Sequence, residues 1–194
     1  MLTQPFGPDL EIYVNELFLS SEELAYLDAE IEKANLENTW AGESGNTMDT
    51  GTWGGRNLFL PASEKLSQIL SRVIGEYVET IKPLSAGEIE LAFEKGVGPL
   101  NRTMPGQSLP AHDDMGPPEL DLPVAHGVVI YINDYYEGGQ LYYSKLGLEI
   151  KPKRGMLVIH SAAALYEHGV RQVTSGIRYG LTLFVNNPDK MQKS

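Results

Sequence analysis

The sequence has no cysteine. That excludes disulfides, thiolate zinc sites, iron–sulfur clusters and a cysteine nucleophile. It suits a reducing compartment, so a cytoplasmic location is expected. Histidine is scarce too, with four in 194 residues, so the placing of each one is informative. No apolar run approaches the ~20 residues of a membrane-spanning helix. Met1 to Leu10 lack the charged and apolar segments of a signal peptide, and no membrane partner is expected. Basic residues are outnumbered: 15 Lys and Arg face 26 Asp and Glu, a net charge of −11 with no basic stripe. Nucleic-acid binding needs a positive footprint and is disfavoured. The acidic surplus serves solubility and would attract a basic protein or peptide.

What is present points to one folded domain. Hydrophobic residues make up 42% of the chain, enough for a substantial core at this length. Glu11 to Asn15 reads as a short strand. Ser20 and Glu23 have capping-box spacing, and Leu24, Leu27, Ile31 and Ala34 then mark one face of a helix. Ala62 to Ile81 reads as a second helix with a wide apolar face, stopped by Pro83. Between them, Asn38 to Asn57 holds five glycines and both tryptophans, Trp40 and Trp53. Such a stretch reads as a long irregular loop that closes over substrate.

From Glu88 onward the pattern is of strands and turns. Ile89–Phe93, Val128–Asn133 and Gln140–Ser144 read as strands. Leu148–Lys151 and Met156–His160 read as strands joined by a turn, and His168–Val173 and Ile177–Val185 as a hairpin. The fold class is therefore α+β: an antiparallel jelly-roll sandwich or barrel with N-terminal helices packed on one sheet. Residues 1–87 form helical support and the substrate loop, and 88–187 the jelly-roll core.

One stretch organises the chemistry: Pro105-Gly-Gln-Ser-Leu-Pro-Ala-His-Asp-Asp114. In extended chain, residues two apart share a face, so His112 and Asp114 can converge on one point while Asp113 faces away. A third candidate is His168, 56 residues on. Two histidines and one carboxylate make a facial triad that leaves the rest of an octahedral ion open to exogenous ligands. Arg178, Gly180, Thr182 and Phe184 share one face of the last strand. A buried arginine there needs an anion, and a carboxylate cosubstrate would meet its planar fork. Thr182 would add a hydroxyl and Gly180 would keep space between them. His126 and His160 fall outside this pattern and read as structural. Arg56, Trp53 and Asp113 are candidates for contact with substrate.

These residues resemble a known family, the 2-oxoglutarate/Fe(II)-dependent dioxygenases, in their prolyl 4-hydroxylase-like branch. The likeness runs through Leu17-Phe-Leu-Ser-Ser-Glu-Glu23, the stretch ending in His112-Asp-Asp114, Val129-Ile-Tyr-Ile-Asn-Asp134, Gly138-Gly139, Lys151-Pro-Lys-Arg-Gly155, His168 and Arg178-Tyr-Gly-Leu-Thr-Leu-Phe184. The resemblance implies a double-stranded β-helix, another name for the jelly roll. It implies Fe(II) held by His112, Asp114 and His168, and 2-oxoglutarate held at its far carboxylate by Arg178 with help from Thr182. It also implies O2 as the oxidant, ascorbate as a reductant, and hydroxylation of a C–H bond of a peptide or protein, with proline as the expected residue. Two other readings stand beside it. One is a zinc hydrolase on the same triad, which lacks a positioned general base and gives Arg178 no purpose. The other is a jelly-roll binding or assembly module without catalysis.

Overall fold

The computed structural model describes residues 1–43, 56–93, 99–116 and 122–192. Two helices form where capping signals and apolar faces coincide. Helix α1, Ser21–Glu37, starts on the Ser20–Glu23 capping box and buries Leu27, Ile31 and Ala34. Helix α2, Glu64–Thr80, is capped by Ser63 and buries Leu66, Ile69, Val73 and Tyr77. Ile89–Phe93 is not the expected strand. It lies at the end of helix α3, Ala86–Ala92, which opens on a second capping box between Ser85 and Glu88. That box satisfies the first-turn amides and outweighs the short apolar run as a local signal. A last short helix, α4, spans Pro188–Met191.

The strands build two facing sheets. In chain order they are β1 (Ile12–Asn15), β2 (Ala41–Glu43), β3 (Arg56–Leu58), β4 (Leu100–Thr103), β5 (Leu109–His112), β6 (Val124–Tyr131) and β7 (Glu137–Gly138). There follow β8 (Leu141–Tyr143), β9 (Leu148–Ile150), β10 (Leu157–Ser161), β11 (His168–Val170), β12 (Val173–Ser175) and β13 (Arg178–Asn186). The major sheet runs β1-β10-β6-β13-β4-β3-β2, the minor sheet β5-β11-β8-β9, and β12 pairs with β7. Every pairing is antiparallel. This is the expected jelly roll with helices against one sheet.

Two expectations change here. His168–Val173 and Ile177–Val185 are not a hairpin, because β11 lies in the minor sheet and β13 in the major one. The chain crosses between sheets through β12 and the turn at Gly176, whose φ of +74° suits glycine. The loop expected over Asn38–Asn57 begins and ends as strand, since β2 and β3 pair with each other and β3 pairs with β4. Its centre, Trp53 included, lies outside the described residues.

Period-two alternation in the major sheet creates two cores. Val128, Ile130, Leu157, Ile159, Tyr179, Leu181 and Leu183 pack with the buried faces of α1 and α2. Ile12, Val14, Val129, Tyr131 and Val158 face the other way, with Leu141, Tyr143 and Ile150 of the minor sheet. Trp40 belongs to the helix-side core. It is buried, it lies 5.8 Å from the Tyr179 ring, and its Nε1 donates to Asn35 Oδ1 at 2.9 Å. It is thus a packing residue and not the exposed lid aromatic expected from its glycine-rich neighbours.

Candidate active site

His112 ends β5 and His168 begins β11, and antiparallel pairing sets the two opposite each other. The chain continues from His112 into a turn that carries Asp114 back over the same point. The ligand-capable atoms of His112, Asp114 and His168 all lie within 4.8 Å of one another. Asp114 Oδ1 is 3.8 Å from His112 Nε2 and 3.9 Å from His168 Nε2.

Both imidazoles are oriented by backbone carbonyls. His112 Nδ1 lies 3.0 Å from Pro110 O, and His168 Nδ1 lies 3.1 Å from Tyr166 O. A carbonyl only accepts, so each Nδ1 carries the proton and each Nε2 is left with its lone pair towards Asp114. This is how histidine ligands are commonly held. Burial pulls the His168 imidazole down to about 4, with His112 adding to the effect, so it is neutral at ordinary pH. Burial pushes the Asp114 carboxyl up to about 6, partly opposed by His112. An ionised carboxylate in this place calls for a nearby cation.

These three residues line a cavity of about 300 Å³ between the sheets. Arg178 lines the same cavity from the facing sheet. It reaches the site across the sandwich and not, as the hairpin reading required, from a strand beside His168. Arg178 is 6% exposed, and its guanidinium carbon sits 5.1 Å from the centre of the Tyr131 ring. Its Nε and the hydroxyls of Tyr131 and Tyr136 are buried without a hydrogen-bond partner. No Asp or Glu among the described residues forms an ion pair with it. Gly139 makes room here: a Cβ would sit 2.8 Å from the Tyr136 ring and 3.2 Å from Arg178 Cδ. Gly180 is less critical than its place on the strand suggested, since a Cβ there would make ordinary contacts of 3.6 Å or more.

The other predicted residues separate. Thr182 lines the cavity, but its hydroxyl accepts from Asn101 Nδ2 at 2.9 Å and donates to Pro99 O at 3.4 Å. Asp113 does not line the cavity, and its Oδ1 accepts from Met115 N at 3.2 Å. Arg56 is placed on β3 opposite Arg102. His126 is structural as expected, with Nδ1 3.1 Å from the Tyr77 hydroxyl.

His160 is the residue that sequence reasoning missed. It lines the cavity, only 3% exposed, with its ring 4.2 Å from that of His168. Strand parity was the available signal, because His160 shares a face with Val158 on β10. Tyr131 faces the cavity by the same logic, while Ile130 faces the helices.

A jelly-roll sandwich that converges two imidazoles and a carboxylate beside a buried arginine can hold a divalent metal ion next to a carboxylate-bearing ligand. Residues 99–186, which contain all four of those side chains, match the model of the 2OG-Fe(II) oxygenase superfamily. The strands that carry the site thus resemble those of the 2OG-Fe(II) oxygenases, and the fold of the whole chain is that of the prolyl hydroxylases described next. Among solved structures, a Pseudomonas putida prolyl-4-hydroxylase is similar at a TM-score of 0.72 and 19% identity, covering 92% of this chain and 94% of that one. A prolyl hydroxylase from Trichoplax adhaerens, in complex with a hypoxia inducible factor oxygen degradation domain peptide fragment, gives a TM-score of 0.69 and 15% identity over 96% and 88%. The viral collagen prolyl hydroxylase of Paramecium Bursaria Chlorella virus-1, as a 2OG complex, gives 0.63 and 16% over 92% and 97%. No curated protein matches the chain.

The family implies Fe(II), 2-oxoglutarate and O2. The residues present fit them. Two lone-pair nitrogens and a carboxylate oxygen suit a divalent ion. The Arg178 guanidinium, paired with no Asp or Glu among the described residues, and the Tyr131 hydroxyl beside it suit a carboxylate.

Proposed function

We propose that the protein hydroxylates a prolyl residue in a peptide or protein, with Fe(II) held by His112, Asp114 and His168. The observation that carries this reading is that the triad and the unpaired Arg178 open onto one cavity. Prolyl specificity is supported by likeness to the three prolyl hydroxylases above. A net charge of −11 favours a basic peptide.

When bound, the iron and 2-oxoglutarate would supply the oxidising chemistry, with succinate as the expected coproduct. The chain's own residues position and enclose. His112 and His168 offer Nε2, and Asp114 offers Oδ1. Arg178 would hold the far carboxylate of the cosubstrate through its guanidinium fork, with the Tyr131 hydroxyl beside it. Leu109, Val129, Leu141 and Val170 line the walls and exclude water.

The test is anaerobic titration of the purified protein with Fe(II) and 2-oxoglutarate, watched for a metal-to-ligand charge-transfer band. A panel of proline-containing peptides is then incubated with air, and succinate and a mass gain of one oxygen are measured. The expected result is the band, succinate, and oxygen on proline. A band with succinate but oxygen on another residue would keep the oxygenase and remove the prolyl assignment.

A further inference from the structure

The two oxygens of Asp114 face different neighbours. Oδ1 faces both triad imidazoles, at 3.8 and 3.9 Å. Oδ2 faces His160, whose Nε2 is 4.0 Å away. His160 is buried on β10, and its other nitrogen, Nδ1, has no hydrogen-bond partner.

The backbone beneath this pair is shaped for it. Gly127 on β6 is the register partner of His160 on one side and of Phe184 on the other. A Cβ at Gly127 would lie 2.2 Å from Asp114 Oδ2 and 2.9 Å from His160 Nε2. Any side chain at 127 would therefore occupy the place where the carboxylate and the imidazole approach. Among the described glycines that lack a positive φ, Gly127 is the one where a Cβ would strike a triad residue.

We infer that His160 is a positioning residue: its Nε2–H donates to Asp114 Oδ2 and holds the carboxylate to a single point of attachment on the metal. This rests on the metal-site reading above. A neutral imidazole has one N–H. Placing it on Nε2 gives the carboxylate its donor and leaves only an acceptor, Nδ1, unpaired. Shortening the 4.0 Å gap by about 1 Å brings the pair to hydrogen-bond distance.

The consequence is a coordination count. With Asp114 attached through Oδ1 alone, the triad fills three positions of an octahedral ion and leaves three for exogenous ligands. If Oδ2 swung onto the metal, only two would remain. His160 keeps that third position open. It acts through Asp114, and it need not touch cosubstrate or substrate.

The test uses Co(II) as a spectroscopic probe on the full chain, comparing wild type with His160→Phe, His160→Gln and Gly127→Ala. Outer-shell partners of metal ligands commonly change metal affinity by about 10- to 100-fold. His160→Phe is expected to bind Co(II) more weakly within that range, with d–d bands altered as the carboxylate becomes two-point. His160→Gln keeps a donor and is expected to recover most of the affinity and the wild-type bands. Gly127→Ala, with His160 intact, should reproduce the His160→Phe defect. If His160→Phe fails to fold by circular dichroism, the Gln and Gly127 variants carry the test.

Wild-type affinity and bands in both His160→Phe and Gly127→Ala would overturn the inference. Loss of one imidazole from the metal's pulsed-EPR signature in His160→Gln would also overturn it, because His160 would then be a ligand. A wild-type chain that takes up no Co(II) would instead overturn the metal site itself, which keeps the two failures distinct.

Discussion

Asn133 holds both chain neighbours of Arg178. Its Nδ2 donates to Ile177 O at 2.7 Å and its Oδ1 accepts from Tyr179 N at 2.9 Å. The asparagine is fully buried, so the guanidinium is aimed by a clamp one residue to either side of it. Replacing Asn133 with Leu leaves a buried N–H and a buried carbonyl unpaired, each costing roughly 1–3 kcal/mol. The expected outcome is a stability loss of about 2–6 kcal/mol by denaturant titration. It should come with weaker 2-oxoglutarate binding and unchanged metal affinity.

Arg178 itself is expected to divide the two ligands. Arg178→Ala should weaken 2-oxoglutarate binding on the order of 100-fold or more while leaving Fe(II) or Co(II) affinity close to wild type. Lysine restores the charge but not the planar fork, so Arg178→Lys should recover only part of the loss. Isothermal titration of each ligand reads this directly, and equal 2-oxoglutarate affinity in the alanine variant would remove Arg178 from the site.

Substituting the triad should act on the metal first. His112→Ala, Asp114→Ala and His168→Ala are each expected to abolish the charge-transfer band formed with Fe(II) and 2-oxoglutarate. Circular dichroism should remain that of a folded chain. A band of normal intensity in any of the three would take that residue out of the ligand set.

The pH dependence of the chelator-treated protein follows from the same groups. His168 is pulled down to about 4 from 6.5, so the unfolded chain binds a proton that the folded chain refuses. Its contribution to stability is lost as pH falls from 6.5 towards 4. His160, pulled well below its ordinary value chiefly by burial, acts in the same direction. Asp114 opposes them: raised to about 6 from 3.8, it favours the folded state at low pH and loses that contribution as pH climbs through about 6. Two histidines against one carboxylate give a net rise in melting temperature between about pH 4.5 and 6.5. Replacing both His160 and His168 with Phe should flatten or invert that rise in a thermal melt series.

Trp40 offers a test of packing. Trp40→Ala should cost about 3–5 kcal/mol of stability, the usual range for a large aromatic lost from a core. If instead stability holds and only the KM for peptide rises, the residue serves the substrate and not the helix-side core.

Much of this site was legible because strand alternation is a rigid rule. His112 and Asp114, two apart, were placed together, and Arg178, Gly180 and Thr182 were placed on one face. What could not be read was which strands become neighbours. The run from His168 to Val185 looks like a hairpin locally, yet its two strands belong to opposite sheets. His160 was missed for a related reason. All five residues of β10 are buried, so hydrophobicity alone does not distinguish its cavity face from its helix face. Ile89–Phe93 is a short apolar run that suits strand or helix equally, and the deciding signal sits four residues upstream at Ser85. Trp40 lies beside a glycine-rich segment whose composition says nothing of where its first residue packs.

The two-faced character of β13 has a practical meaning for anyone altering this protein. Tyr179, Leu181 and Leu183 answer to the helices, and Arg178, Thr182 and Phe184 to the ligand space. A saturation library along this strand should therefore score with a beat of two, thermal tolerance on one count and turnover on the next. An engineer seeking a hardier catalyst can work the first set, and one seeking a new substrate the second, on the same nine residues.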